Sequence, residues 1–173
     1  MKPVRIRPHT RHVRTANTNV ARRPKREVHQ AIYALPDYLQ EELFVLLRKS
    51  IKRGEEVGVG FCIQKDGTAT ATTPCWGDAI SCDASFDCYA PTRAGTFHTH
   101  PPGLEEQMDK SWGFPEPSIH DVEESVHAGE KVAWIGGVDP KTYDYVIVGW
   151  AMPDHDHINT TAPYIIRVYR RKT

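Results

Sequence analysis

The chain has 173 residues, of which 39% are hydrophobic and 25% are charged, a composition typical of a single globular domain. Its longest apolar stretches fall far short of the ~20 residues that a membrane-spanning helix needs, so we expect no membrane partner. Of the 22 basic and 22 acidic side chains, nine basic and no acidic ones lie in residues 1–26, which leaves a net charge of −9 on the remainder.

Residues 1–27 are predicted to form a basic arm, and residues 28–173 a single folded domain. The arm contains three prolines and almost no apolar periodicity, so we expect no packed helix or strand there. Basic segments of this kind contact nucleic acid, acidic protein surfaces or anionic lipid, and an arm that folds back onto the acidic body is the alternative. The arm lacks the apolar block of a secretion signal, and we therefore expect a cytoplasmic protein.

The first element predicted in the domain is a helix that ends at Gly54. Asp37 follows Pro36 and is the expected N-cap, with Gln40 at the capping-box position. Gly54 suits the left-handed conformation that closes many helices. The apolar side chains recur at helical spacing and predict one buried face: Leu39, Leu43, Leu46, Leu47 and Ile51.

Strand signals dominate the rest of the domain. Apolar residues alternate with small ones from Val57 to Ile63, and the turn Lys65-Asp66-Gly67 predicts a return strand within residues 68–73. A short helix opened by Ser118 interrupts the later strands. These later elements are predicted at Gly95–His100, Ile119–His127, Val132–Gly137, Tyr143–Met152 and Ala162–Val168. One long helix, a short inserted helix and several mostly antiparallel strands predict an α/β sandwich with a mixed sheet and flanking helices.

Four cysteines lie in the first half of the domain, and no two of them have the CxxC spacing of a zinc knuckle. Because no secretion signal is visible, we expect reduced thiols. A single disulfide and a second, structural zinc site are the alternatives. The cysteines concerned are Cys62, Cys75, Cys82 and Cys88.

Two histidines and a later carboxylate have the spacing of a metal site. Residues two apart on a strand point to the same side, so His98 and His100 would present both imidazoles to one point. Asp121 lies in the first turn of the short helix, where a carboxylate is favoured, and could supply a third ligand. Taken singly, an HxH on a strand is often only packing, and SxxD is often only a capping box. Together they predict a catalytic zinc site with three protein ligands and one open position.

The combined pattern resembles the signature of the JAB/MPN/JAMM zinc metalloproteases. In that family a Glu on the first core strand is followed by H-[S/T]-H-P and then by S-x-x-D. The corresponding segments here are Glu55-Glu56, His98-Thr99-His100-Pro101 and Ser118-Ile119-His120-Asp121, and the resemblance spans roughly residues 39–148. The string Pro-Glu-Pro-Ser at 115–118 is especially similar to prokaryotic members, including the branch named for DNA repair.

The resemblance implies a cytidine-deaminase-like sandwich and zinc-dependent hydrolysis of amide or isopeptide bonds. It implies that His98, His100 and Asp121 hold Zn2+ and that Ser118 donates a hydrogen bond to the developing oxyanion. A glutamate would act as general base and pass the water proton to the leaving amine. The substrate would be a protein or peptide, such as a lysine carrying a ubiquitin-like modifier or a peptide tail to be trimmed. The alternative is a nucleic-acid-associated module that uses the basic arm and has no protease activity.

The general base is either Glu55 or Glu56. Glu55 is preferred, because the family strand runs Glu-x-x-Gly and Gly58 lies three residues further on, with Val57 at the matching apolar parity. A bulge after Gly54 would reverse the choice in favour of Glu56.

The stretch from Pro102 to Glu116 is longer than in the family and carries four large apolar residues. It is predicted to be a lid or a substrate-contacting loop, with a surface insertion of no functional consequence as the alternative. Outside it, His120, His127, His155 and His157 are not expected to bind metal, because they occupy helix surfaces or a polar turn. Three strand aromatics are expected to pack in the core: Trp134, Tyr145 and Trp150. The apolar residues of the insertion are Leu104, Met108, Trp112 and Phe114.

Overall fold

The computed structural model describes residues 27–77, 86–102, 114–158 and 160–173. Within these ranges no helix is long and apolar enough to cross a membrane. The elements in chain order are α1 (Asp37–Arg53), β1 (Val57–Ile63), β2 (Ala69–Ala71), β3 (Cys75–Trp76), β4 (Arg93–Thr99), α2 (Ile119–His127), β5 (Val132–Val138), β6 (Tyr145–Ala151) and β7 (Tyr164–Arg171).

The strands form one mixed, mostly antiparallel sheet with the order β2-β1-β4-β5-β6-β7, and β3 pairs with β1 beside β2. Only β4 and β5 pair in parallel among these strands, and the chain between them contains α2. Parallel neighbours need such a crossover, whereas antiparallel ones can be joined by a tight turn. The predicted α/β class, with helices packing on a largely antiparallel sheet, is confirmed at this level.

Helix α1 covers one face of the sheet with the apolar stripe that the sequence predicted. Its Leu39, Leu43 and Leu47 are almost completely buried against odd-numbered residues of β1 and β4, such as Val59 and Phe97. Gly54 closes the helix with φ +68°, and its N–H donates to the carbonyl oxygens of Ser50 and Ile51.

The N-terminus of α1 corrects one detail of the prediction. Pro36 occupies the N-cap position, in extended conformation, and Asp37 is the first helical residue. The Gln40 N–H therefore donates to the Pro36 carbonyl oxygen, and no side chain caps the helix. Asp37 still favours the helix, because a carboxylate in the first turn complements the helix dipole.

The opposite face of the sheet carries a second, smaller apolar cluster. It is built from even-numbered residues of β6 and odd-numbered residues of β5, with Val122 of α2 and Phe114 packed against it. Trp134 and Trp150 are buried on opposite faces, and the partly buried Tyr145 packs against the α1-side cluster, so all three pack in the core as predicted. Gly149 lies opposite Trp134, and a Cβ there would approach the indole ring to 2.7 Å, so the position must stay side-chain-free.

A disulfide joins Cys62 near the end of β1 to Cys88, with the two Cα atoms 6.2 Å apart. The expectation of reduced thiols is therefore wrong for these two residues. The pairing depends on a tertiary approach between β1 and the chain before β4, which cysteine spacing does not encode. Cys75 is a free thiol, and Cys82 lies outside the described residues.

The predicted arm and most of the predicted insertion, residues 1–26 and 103–113, also lie outside the described residues. Within the described residues, the chain is hydrogen-bonded to the rest of the domain from Val28 onward. Val28 is buried, and its N–H donates to the Ala128 carbonyl oxygen over 2.8 Å. The next two residues, His29 and Gln30, donate to the carbonyl oxygen of Arg93 at the start of β4.

Candidate metal centre

His98 of β4 and His100, which directly follows the strand and continues its pairing with β5, project from the face of the sheet opposite α1. Phe97 and Thr99 point into the α1 side and are completely buried, so His98 and His100 point to the other side by strand alternation. His98 pairs with Gly58 of β1 and with Ile135 of β5. Because Gly58 has no side chain, its position in β1 contributes no side chain beside His98 on this face of the sheet.

Asp121 reaches the same point from the first turn of α2. Ser118 caps the helix: the Asp121 N–H donates to Ser118 Oγ over 3.1 Å, and the Ser118 N–H donates to Asp121 Oδ2 over 2.7 Å. This reciprocal capping box was predicted from the SxxD spacing. It fixes the carboxylate orientation while leaving both oxygens able to face the histidines.

The helix is held above β4 by contacts on both sides of Asp121. Before it, Trp150 Nε1 donates to the Pro115 carbonyl oxygen over 3.1 Å. After it, the buried Glu130 carboxylate accepts hydrogen bonds from Ser125 of α2 and from Thr96 of β4. These bonds connect α2 to the same strand that carries the histidines.

The three side chains converge closely. His98 Nε2 lies 3.0 Å from His100 Nε2. Asp121 Oδ1 lies 3.4 Å from His98 Nε2, and Asp121 Oδ2 lies 3.4 Å from His100 Nε2. Each side chain is partly exposed, between 16% and 29%, so solvent reaches the group. Among the described residues this is the one group of three or more potential ligands that could hold a metal ion.

The donor atoms lie close enough together to share one metal ion. Ligand atoms about 2.0–2.2 Å from a tetrahedral ion lie about 3.3–3.6 Å from each other. The two distances of 3.4 Å involve different oxygens of Asp121, and one ligand atom from each of the three residues lies within 4.8 Å of the other two.

The electrostatics of the group favour the protonation states that metal binding needs. Burial raises the pKa of the Asp121 carboxyl, but hydrogen bonds with His100, His98 and Ser118 outweigh it and hold that pKa far below its usual range. Burial lowers the pKa of His98, and its hydrogen bond with Asp121 only partly opposes the shift. An ionised carboxylate beside a neutral imidazole is ready to ligate without first losing a proton.

The two glutamates at the start of β1 lie in different surroundings. Glu56 is 8% exposed, and its carbonyl oxygen accepts from the Gly77 N–H, which extends the β1–β3 pairing through this residue. By alternation Glu56 shares the face of Gly58, and therefore the face of His98. The side chain of Glu55 is 46% exposed and lies 3.9 Å from Arg53. The register thus favours Glu56 over the sequence-based preference for Glu55 as the residue directed toward the histidines.

Four histidines of the later described residues lie outside this group. His120 is largely exposed and pairs with Glu124 one turn along α2. His127 lies at the end of α2, where its Nδ1 bonds to the Glu123 carbonyl oxygen. His155 and His157 belong to an exposed 3-10 turn.

Two supporting parts of the site were not predicted from the sequence. The buried Glu130 follows α2, whose sequence is typical of a surface helix, and no local pattern marks Glu130 as a partner of Thr96. Thr99 was identified only as the middle residue of the HxH motif, although its hydroxyl is completely buried and hydrogen-bonded to Ser50.

No protein-family model matches the chain, and no curated protein matches it.

Proposed function

We propose that the chain is a zinc-dependent hydrolase of amide or isopeptide bonds. The observation that carries the proposal is the convergence of two imidazoles and one carboxylate, from two separate elements, within 3.0–3.4 Å of one another. Buried contacts on both sides of Asp121 hold this arrangement, and it is open to solvent on one side. Three protein ligands with an accessible fourth position are typical of catalytic zinc sites, whereas structural zinc sites are closed by four.

The donor types support zinc as the ion. Ca2+ and Mg2+ prefer shells made entirely of oxygen, and two imidazole nitrogens are poor ligands for either. Imidazole suits Zn2+, Fe2+ and Cu2+, and three protein ligands with one open position are typical of catalytic zinc sites. When bound, a zinc ion would supply a Lewis acid and would lower the pKa of a water molecule in its open position to about 7.

We assign the general base to Glu56, with Glu55 as the alternative. A base must reach the attacking water and then the leaving nitrogen, so it has to lie on the face that carries His98 and His100. In the reaction, the water oxygen attacks the carbonyl carbon and gives one proton to the glutamate. The carbon–nitrogen bond then breaks as the glutamate returns that proton to the leaving amine.

We assign to Ser118 the stabilisation of the developing oxyanion. Its Oγ accepts a hydrogen bond from the Asp121 N–H, and this bond does not consume the hydroxyl proton. The hydroxyl can therefore donate toward a substrate oxygen beside Asp121 while the capping box stays intact. Donors of this kind are typically worth about 100–1,000-fold in rate.

The resemblance to the JAB/MPN/JAMM signature supports the same reaction and points to a cytidine-deaminase-like arrangement of the sheet. It also supports a protein or peptide substrate, with a lysine bearing a ubiquitin-like modifier as one candidate. The nucleic-acid alternative depends on residues 1–26, which lie outside the described residues.

The experiment is a substrate panel with the zinc-loaded 173-residue chain. The panel contains a peptide with Gly-Gly on a lysine ε-amine, a ubiquitin-linked lysine peptide and unmodified linear peptides. We expect cleavage of at least one of them, loss of cleavage with a chelator, and recovery when Zn2+ is returned.

The matched pair Glu56→Gln and Glu55→Gln tests the base. We expect Glu56→Gln to retain zinc and lose at least about 100-fold in kcat, while Glu55→Gln keeps near-normal kcat. The reverse result would restore Glu55 as the base. Zinc binding without cleavage of any panel member, together with salt-dependent DNA binding by the full chain, would favour the nucleic-acid alternative.

A further inference from the structure

Two buried hydroxyls connect α1, the start of β1 and the histidine strand. Ser50 of α1 and Thr99 of β4 are both completely buried, and their hydroxyl oxygens lie 2.6 Å apart. Ser50 Oγ also lies 2.6 Å from the Glu55 carbonyl oxygen, to which it donates. Thr99 Oγ1 accepts from the Val57 N–H over 3.0 Å.

The donor and acceptor roles along this chain of bonds follow from proton counting. Each hydroxyl has one proton to give. Because Ser50 gives its proton to the Glu55 carbonyl oxygen, Thr99 must give its own to Ser50. Thr99 then still accepts from Val57, so the order runs from the Val57 N–H through Thr99 and Ser50 to the Glu55 carbonyl oxygen.

The two ends of this series of hydrogen bonds flank Glu56. The Glu55 carbonyl group is on one side of it and the Val57 amide on the other, and both are fixed from the α1 face of the sheet. The Glu56 carbonyl oxygen is held separately by the Gly77 N–H of the β3 side. Three backbone groups around Glu56 are therefore hydrogen-bonded. Because the β1–β3 pairing extends to Glu56, strand alternation puts its side chain on the face of Gly58, opposite Thr99.

Thr99 also stands between the two histidines. Its side chain points into the core, while those of His98 and His100 point to the metal-binding face. A single hydroxyl thus joins the strand that carries the ligands to the segment that carries the assigned base.

We propose that Thr99 and Ser50 are positioning residues that hold Glu56 in register with the two histidines. The inference rests on the proposed function, because it concerns the base of that reaction. Neither hydroxyl touches the reacting atoms. Removing either one is expected to lower the rate through Glu56, since a misplacement of about 1 Å can cost about 100-fold.

The test uses the zinc-loaded 173-residue chain carrying Thr99→Val, which keeps the side-chain shape and removes the hydroxyl. Thr99→Ser keeps the hydroxyl and is the conservative variant. The matched control is Thr72→Val, because the Thr72 hydroxyl is also buried and accepts from a β1 amide, that of Gly60, over 2.9 Å. Each valine variant loses one buried hydroxyl bond to a β1 amide, at different distances from Glu56, and Thr99→Val also loses the bond to Ser50.

Amide exchange measured by NMR gives a readout that does not depend on activity. We expect exchange at Val57 to rise at least about 10-fold in Thr99→Val and to stay at the wild-type rate in Thr99→Ser and Thr72→Val. Zinc content should remain at the wild-type level in all three. Unchanged exchange at Val57 in Thr99→Val, or loss of its zinc, would overturn the inference.

Kinetics on the panel substrate that the wild type cleaves test the action through Glu56. We expect Thr99→Val and Ser50→Ala to lower kcat at least about 10-fold with KM unchanged, and Thr99→Ser and Thr72→Val to stay within about 2-fold of wild type. Thr99→Val should add less than about 2-fold to the loss already caused by Glu56→Gln, because both act on one group. A further 10-fold loss in the double variant would overturn the inference.

Failure of the inference and failure of the proposed function give different results. If Glu56→Gln abolishes activity while Thr99→Val is fully active, only the positioning role is refuted. If Glu56→Gln is fully active, the base assignment in the proposed function is refuted, whatever Thr99→Val does. If the wild type cleaves no panel member, the proposed reaction fails, and the Val57 exchange rates still decide whether the hydroxyls hold this segment.

Discussion

The Cys62–Cys88 disulfide is expected to be a large single contribution to stability, and Cys88→Ser measures it. The bond closes a loop with a sequence separation of 26 residues. In the chain-entropy model, a disulfide that closes a loop of that length lowers the conformational entropy of the unfolded chain and so stabilises the folded state by about 3.5 kcal/mol at 25 °C. A domain of this size shifts its Tm by roughly 2–4 °C per kcal/mol, so we expect Cys88→Ser to unfold roughly 7–14 °C below wild type.

The assay is thermal unfolding followed by circular dichroism, with and without the reductant tris(2-carboxyethyl)phosphine. Reductant should lower the Tm of the wild type to near that of Cys88→Ser and leave the variant unchanged. Cys75→Ser is the control: Cys75 is a free, partly buried thiol, and its change should cost less than about 0.5 kcal/mol. A Cys88→Ser variant within about 1 kcal/mol of wild type, or a wild type insensitive to reductant, would refute the reasoning.

Three further predictions concern Ser118, the insertion and the N-terminal arm. Ser118→Ala should lower the free energy of unfolding, measured by denaturation, by about 1 kcal/mol. It should also lower kcat on the cleaved panel substrate by about 100–1,000-fold, and a normal kcat would remove Ser118 from the mechanism. Replacing residues 104–113 by a short polar linker that ends before the packed Phe114 should leave zinc content unchanged and raise KM, and unchanged kinetics on every panel substrate would make the insertion a surface feature. Deleting residues 1–26 should leave zinc content and Tm nearly unchanged, because the described packing begins at Val28; a large loss of Tm independent of salt would show that the segment packs into the domain.

Much of the fold could be predicted because its signals are local. The leucine spacing of α1 and the glycine after it depend on neighbours within a few residues, and the helix ends where Gly54 adopts positive φ. The alternation in β1 and the turn after it likewise gave the hairpin with β2, in which Phe61 pairs with Ala71. The SxxD capping box at Ser118 was predictable for the same reason.

The features that were missed depend on parts of the chain far apart in sequence. β3 has only two residues and no periodicity of its own, yet its pairing with β1 extends the sheet to Glu56. Without that pairing, the sequence could not show which of the two adjacent glutamates shares the sheet face of Gly58 and His98. The apolar parity that favoured Glu55 identifies the α1 face, whereas His98 lies on the glycine face of β1.

In the candidate site, too, local features could be predicted and contacts between distant parts of the chain could not. The HxH spacing was sufficient to place both imidazoles on one side of a strand, because alternation is a property of the strand itself. The approach of Asp121 was foreseen from motif spacing, but the contacts that secure it come from elsewhere: Trp150 holds Pro115, and Glu130 connects α2 to Thr96.

The zinc content of the purified protein tests the central claim most directly. Elemental analysis of wild type, His98→Ala and His100→Ala is compared with His120→Ala, whose exposed histidine is adjacent to Asp121 in sequence and pairs with Glu124. We predict about one zinc ion per chain in the wild type and in His120→Ala, and loss of zinc in the other two variants. Full zinc occupancy in both His98→Ala and His100→Ala, or a wild type that takes up no zinc when Zn2+ is supplied, would contradict the metal site on which the proposed function depends.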